Sequence, residues 1–375
     1  MNGFRKSISA GIVALLICAI PLSARAQGEG PRLRAIWNTP VKSPRHIAVT
    51  PDGRFAAVID KAGDLTYYDA AGRPLWRKTA AGATAVSLAA NGSVLLTYTP
   101  LNPLARRINI LFADGKVRWS QTVAGCVWSA AVSDDGAAAV VGAGTRRVYI
   151  FSLDRRLRYR RRTLPGIPFS VAFAPDGKRL VAGTWQKAGV GVFDLNGRRK
   201  WFAKGYVDLQ YSAEVSRNGR YILARGRPNR PRPMETLTLW RFDGSKLWQK
   251  RLKLADVRTA LSPAGDVVAI SYSRQVIHGK GRMSERYLVL YDRAGRGVWN
   301  REKGGVFLQP ELIAVFRTGR ILVSSQGTLY LYDGDGRALS TLKLPASIRG
   351  FTPAAIGGRA LIYCGDGRLY MFGQG

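Results

Sequence analysis

The chain has 375 residues, with 58 Lys and Arg against 24 Asp and Glu, a formal net charge of +34 and a mean hydropathy of −0.09. Only two histidines, His46 and His278, and three cysteines are present, which excludes a histidine-rich zinc or iron centre. Neither a Gly-x-Ser-x-Gly elbow nor a phosphate-cradling Walker loop occurs, so a serine hydrolase or nucleotide hydrolase has no support.

At the start of the chain, Arg5 and Lys6 precede the apolar run from Ile8 to Leu22 and the triplet Ala24-Arg25-Ala26. This pattern predicts an export signal over residues 1–26, cleaved after Ala26. About 15 apolar residues broken by Pro21 are short for a bilayer span, which needs about 20. Ile17 stands before Cys18, where lipoprotein processing wants a small residue. Residues 27–375 are expected to form one domain, periplasmic or secreted, monomeric and without a transmembrane span in the mature chain.

A tight turn ending in glycine then recurs eight times after a short apolar strand, at Gly53, Gly92, Gly136, Gly177, Gly219, Gly265, Gly319 and Gly358. The spacing is that of a four-stranded propeller blade, roughly 40 to 50 residues. A second ladder lies late in each unit, at Asp69 to Gly72, Asp114-Gly115, Asn196-Gly197, Asp243-Gly244, Asp292 to Gly295 and Asp335-Gly336, mostly followed by Trp76, Trp119, Trp201, Trp248 or Trp299. In the fourth unit, four strands are predicted: Ser170 to Phe173, Arg179 to Ala182, Gly189 to Phe193 and Lys200 to Ala203. Period-2 alternation and Asp-Gly or Asn-Gly turns carry that reading. The tryptophans of the fourth strands are predicted core.

The last unit stops at Leu369 to Phe372, after its third strand, while Arg34 to Trp37 forms an orphan outer strand at the other end. The predicted fold class is therefore all-β: an eight-bladed β-propeller, closed by the N-terminal strand completing the C-terminal blade, with seven blades the alternative if one unit is misread. Cys126 and Cys364 fall in the third and eighth units, which are not neighbours on the ring, so free thiols are expected.

The Pro-Asp-Gly turns at 51–53 and 175–177 resemble those of WD-repeat propellers. Strings such as Leu331-Tyr-Asp-Gly-Asp-Gly336 and Ile362-Tyr-Cys-Gly-Asp-Gly-Arg-Leu-Tyr370 resemble the repeats of quinoprotein-like bacterial propellers. The resemblance spans nearly all the mature chain and implies fold alone, since those residues shape turns and packing. A quinoprotein dehydrogenase implies a calcium-bound quinone, a carboxylate base and often adjacent cysteines. No adjacent cysteine pair occurs, and no cofactor or metal is expected.

Two candidate surfaces emerge. The first is the mouth of the central channel, where the offset from the turn glycine aligns Trp128, Phe169 and Tyr211 with Arg45, and His46, Ser129, Ser170, Ser212 and Arg258 follow one residue later. Aromatic platforms beside hydroxyls and cations suit a sugar or aromatic ligand, and packing between blades is the competing reading. Glu214 joins this set as the one acid among the small residues Ala48, Ser87, Ala131, Ala172, Ala260 and Ala314 of the innermost strands. An ion pair, with Arg258 a candidate, or a ligand contact is expected for it.

The second surface consists of two long connections between second and third strands. The fifth unit carries Arg225, Arg227, Arg230 and Arg232, and the sixth, from Ser273 to Arg286, carries Arg274, Lys280, Arg282 and Arg286. Both should project from one face, concentrating guanidinium groups that suit phosphate, carboxylate and sulfate. The competing reading is a pair of solvated surface loops on a basic scaffold adapted to acid surroundings. The expected function is an exported, non-catalytic propeller that binds an anionic envelope partner, a polymer such as lipopolysaccharide or an acidic protein, and no genomic nucleic acid. The alternative is a propeller enzyme, a quinone-dependent oxidoreductase for example, with its site at the channel mouth.

Overall fold

A computed structural model describes residues 31–374 except 81, 105, 154–157, 207–208, 229–233, 253–254, 279–280 and 301–309. The export signal predicted for residues 1–26 lies outside the described residues. Among the described residues the chain forms 32 strands and no helix, arranged as eight four-stranded antiparallel sheets. Each sheet is a blade, numbered here 1 to 8 by its turn glycine, with strands a to d running outward. Blade 1, for example, consists of Pro44–Val49, Ala56–Asp60, Asp64–Tyr68 and Pro74–Thr79. Among the described residues no helix is long and apolar enough to cross a membrane.

The ring closes as the sequence predicts. Leu33–Pro40 pairs antiparallel with Arg368–Gln374 and becomes strand d of blade 8, and strand a of blade 8 packs on strand a of blade 1. The eight turn glycines all adopt positive φ, between 61° and 77°, which an L side chain reaches only under strain. In blade 1 the N–H of Gly53 donates to Thr50 O at 2.8 Å while the Asp52 carboxylate accepts from the N–H of Arg54 at 3.0 Å.

The second ladder holds neighbouring blades together. Five of the tryptophans lie on the second-ladder glycine of the next blade, Trp37 on Gly72, Trp76 on Gly115, Trp201 on Gly244, Trp248 on Gly295 and Trp299 on Gly336, whereas Trp119 meets Phe151 of blade 3 edge-on with ring centroids 5.0 Å apart. Two of them also donate across the gap, Trp76 Nε1 to Ala113 O at 2.7 Å and Trp201 Nε1 to Phe242 O at 3.0 Å. Strand d of blade 3, Arg158–Thr163, has no tryptophan, and Arg162 takes that place against Gly197 and the Asn196 carbonyl. Beside this junction a cleft of about 430 Å³ opens between blades 3 and 4, lined by Ile150, Phe151, Lys178 and Leu195.

The sixth blade corrects one expectation. The segment from Ser273 to Arg286, expected as a loop, continues the sheet: Val267–His278 and Gly281–Asp292 pair through to His278 and Gly281. Val276 and Ile277 on one side and Met283 on the other extend the apolar and β-branched pattern, which favours strand over loop. Cys126 and Cys364 form no disulfide; burial and the nearby Asp366 push the Cys364 thiol up to about 11.

Candidate functional site

The channel candidates separate into two ends of the ring. At the end where strands d connect to strands a, Trp128 and Phe169 meet with ring centroids 5.6 Å apart, and Trp185 joins Trp128 at 5.9 Å. Trp185 was not among the sequence candidates, because it ends strand b rather than beginning strand a. Both Trp128 and Phe169 occupy β-bulges, between Val127 and Ser129 and between Pro168 and Ser170, and a bulge re-aims the residue it carries. Arg45, exposed, sits at the matching bulge of blade 1.

Tyr211 does not join them. Strand a of blade 5, Leu209–Val215, pairs without a bulge and sets Tyr211 opposite Gly226. Its ring is buried at 4% exposure, its hydroxyl accepts from Tyr206 N–H at 3.1 Å, and burial raises its pKa. A Cβ at Gly226 would meet that ring at 2.8 Å, so the missing side chain makes the burial feasible.

The polar residues aligned behind the aromatics serve the ring. Ser129 Oγ accepts from Val171 N–H at 3.2 Å, Ser170 Oγ from Ala213 N–H at 3.0 Å and His46 Nδ1 from Val86 N–H at 3.4 Å, each a bond to the next blade's strand a. Burial lowers the His46 pKa, consistent with a neutral imidazole accepting that proton. Arg258, exposed, pairs with Ser271 in the sheet of blade 6.

On the loop face, Arg225 and Arg227 belong to strand b of blade 5, Tyr221–Pro228. Arg225 turns inward to a two-pronged pair with Glu235, 2.6 Å from Nε to Oε2 and 3.0 Å from Nη2 to Oε1, so its charge is matched inside the blade. Arg227 is exposed. Arg230, Arg232 and Lys280 lie outside the described residues. Arg274, Arg282 and Arg286 lie on the blade 6 hairpin, whose register sets Arg274 opposite Glu285.

Glu214 stands three residues beyond Tyr211, about 10 Å further along strand a at ~3.3 Å per residue, at the opposite end of the channel. There a cavity of about 350 Å³ is walled by blades 1, 3, 4, 5, 6 and 8. Glu214 is exposed to the channel, yet the surrounding blades limit its bulk hydration and push its carboxyl up to about 7 against the opposing pull of the Leu261 N–H and Arg217. Arg217 Nη1 itself lies 2.8 and 2.9 Å from the two carboxylate oxygens of Asp134, reaching from blade 5 to blade 3. This clasp was missed in the sequence, although a signal exists: the turn position that is proline in three units is Asp134 in the third and Arg217 in the fifth.

The sequence matches the family of the outer membrane protein assembly factor BamB over residues 61–279, more than half of the chain. The chain belongs to the BamB family. The match runs from blade 1 to the blade 6 hairpin, and it bears out the resemblance to quinoprotein-like bacterial propellers. No curated protein sequence matches the chain. Among solved structures, BamB from Moraxella catarrhalis aligns at a TM-score of 0.64 and 15% identity, covering 91% of this chain and 99% of that one. The Cps50 (Swd1) β-propeller domain of Myceliophteria thermophila aligns at 0.55 and 12%, covering 91% and 99%. The Dos1 propeller aligns at 0.65 and 11%, covering 91% and 95%. At such identities these structures speak for the fold alone.

Proposed function

We propose that this protein is an exported, non-catalytic propeller that binds an anionic envelope partner, lipopolysaccharide or an acidic protein, through the face bearing the elongated connections of blades 5 and 6. The observation that carries the reading is how charge is compensated on the two faces. On the face of the a–b and c–d turns, aspartates are paired within their own turns: Arg54 to Asp52, Arg73 to Asp69, Arg179 to Asp176 and Arg296 to Asp292. The N–H and guanidinium of Arg73 hold the Asp69 carboxyl below its ordinary range, and those of Arg296 do the same for Asp292. On the opposite face Arg77 is paired with Asp60 and Asp64 and Arg225 with Glu235, while in sequence the two elongated connections add Arg227, Arg230, Arg232, Arg274, Lys280, Arg282 and Arg286 against one further acid, Glu285. A field of that sign steers polyanions toward the face, and guanidinium forks then bind phosphate or carboxylate.

Membership in a family named for an assembly factor also favours a binding role over catalysis. Among the described residues that line the cavity with Glu214, the other charged groups, Arg217 and Asp134, are paired with each other. The test is binding of the mature protein to lipopolysaccharide. Replacing Arg227, Arg230 and Arg232 by serine should weaken it at least tenfold more than replacing Arg158, Arg160 and Arg161 of the blade 3 outer strand. Equal losses would mean that net charge alone is responsible.

A further inference from the structure

The cavity at the turn end of the channel lies on the face opposite the elongated connections, so its chemistry is independent of the polyanion reading. Its wall is formed largely of small and apolar groups, among them Val49, Ala131, Ala172, Ala213, Leu261 and Pro353. Among the described residues, three charged side chains line it: Asp134, Glu214 and Arg217. Arg217 is committed to both oxygens of Asp134. Glu214 is therefore the one charged group of the described lining without an ion-pair partner of its own, an acid in a protein whose overall charge is +34.

The volume, about 350 Å³, lies at the lower end of the range for small-molecule sites, roughly 300 to 1,000 Å³. Alanine at this position of the innermost strands leaves space near the carboxyl that a larger side chain would fill. A carboxylate offers about four acceptor positions. One is taken by the Leu261 N–H, so the others are available to a ligand's donors.

We propose that this cavity is a binding site for a small organic cation, a primary alkylammonium whose nitrogen donates to the Glu214 carboxylate while its methylenes lie on the alanine and leucine wall. An anion is disfavoured, because it would face Glu214 and Asp134 with a guanidinium already engaged. Glu214 is open to the channel, but the enclosing blades raise its carboxyl to about 7, and a bound ammonium favours the ionised form. The site thus takes up its ligand better at pH 8 than at pH 6.

The test is calorimetric titration of the full mature protein with n-butylammonium chloride, and with sodium butyrate as the probe of opposite charge. Butylammonium should bind and butyrate should not. Lowering the pH from 8 to 6 should weaken butylammonium binding about tenfold, as expected for a group titrating near 7. Glu214→Gln, which keeps the shape and an acceptor for the Leu261 N–H, should weaken binding at pH 8 at least tenfold and flatten the pH response. Ala172→Leu, which fills the cavity, should weaken it at both pH values. The inference is overturned if butyrate binds as well as butylammonium, if butylammonium gives no binding at millimolar concentration, or if Glu214→Gln binds like the parent protein. Should that variant fold poorly, a flat pH response in the parent protein overturns it equally.

Discussion

Arg217 and Asp134, 83 positions apart in sequence, join blade 5 to blade 3 across the mouth of the central channel, with one guanidinium nitrogen within 2.9 Å of both carboxylate oxygens. Both side chains are about one-third exposed, so the pair contributes little to stability, within about 1 kcal/mol. Its larger effect is electrostatic, through Glu214. Arg217→Ala removes a cation that favours the ionised carboxyl and should raise the Glu214 pKa further. Asp134→Asn frees that cation of its partner and should lower it. Carbon-detected NMR titration of the Glu214 carboxyl reads both shifts, and shifts of the same sign in the two variants would refute the coupling.

The raised pKa of Glu214 also sets a pH dependence of folding. Between its ordinary value near 4.5 and the folded value of about 7, the native state holds more of the proton than the unfolded chain does. Stability contributed by this group therefore falls as pH rises through that window. Glu214→Gln removes the effect, so its melting temperature relative to the parent protein should be higher at pH 8 than at pH 5.

Closure of the ring rests on strand d of blade 8. Trp37 is 8% exposed and covers Gly72 of blade 1. Trp37→Ala should destabilise the protein by about 3 to 5 kcal/mol, measured by chemical denaturation. Removing residues 27–40 unpairs Arg368–Gln374 as well and should be more severe still. A truncated chain that melts like the full one would show that the ring closes some other way.

Docking of tryptophan on glycine can be separated from backbone strain. Gly72 and Gly63 have similar positive φ, 75° and 86°, but an added Cβ meets the Trp37 ring at 2.5 Å at Gly72 and nothing within 4 Å at Gly63. Gly63→Ala should lose only the left-handed strain, about 1 to 2 kcal/mol. Gly72→Ala should lose about 1 to 3 kcal/mol more through overpacking, and thermal melts of the two variants give the difference.

These two ladders were legible because a backbone requirement recurs: a positive φ at the turn glycine of every repeat and, in five of them, room at the second turn for the tryptophan of the preceding blade. The channel was less legible because equal offsets from a turn glycine do not mean equal environments. Trp128, Phe169 and Tyr211 share one offset, yet bulges re-aim the first two, and Gly226 opposite Tyr211 admits its ring to the core. Strand length, too, is invisible in an offset: Glu214 and Tyr211 lie on one strand and at different ends of the channel. Two of the hydroxyls read as ligand contacts, those of Ser129 and Ser170, accept from backbone N–H groups of the next blade, a need that arises only once strands a are packed side by side.

That structural role of the serines is testable. Ser170→Ala should leave the Ala213 N–H without its acceptor and destabilise the ring by about 1 to 3 kcal/mol, with hydrogen exchange at Ala213 accelerated. Unchanged exchange would argue that the hydroxyl is there for something other than holding blade 4 to blade 5.

Arg225 and Arg227, two positions apart on the same strand, should behave in opposite ways. Glu235 is 7% exposed on its side chain and Arg225 21%, so Arg225→Ala strands a buried carboxylate and should destabilise the protein by about 3 to 5 kcal/mol. Arg227→Ala, at an exposed position, should change stability by less than about 0.5 kcal/mol. The double variant Arg225→Met with Glu235→Leu removes both charges together and should recover most of the loss, because the desolvation of the two charged groups disappears with them. Denaturant titration of the four proteins separates these outcomes. If Arg225→Ala and Arg227→Ala prove equally mild, Arg225 is held only loosely by Glu235, and its charge belongs with those of the loop face.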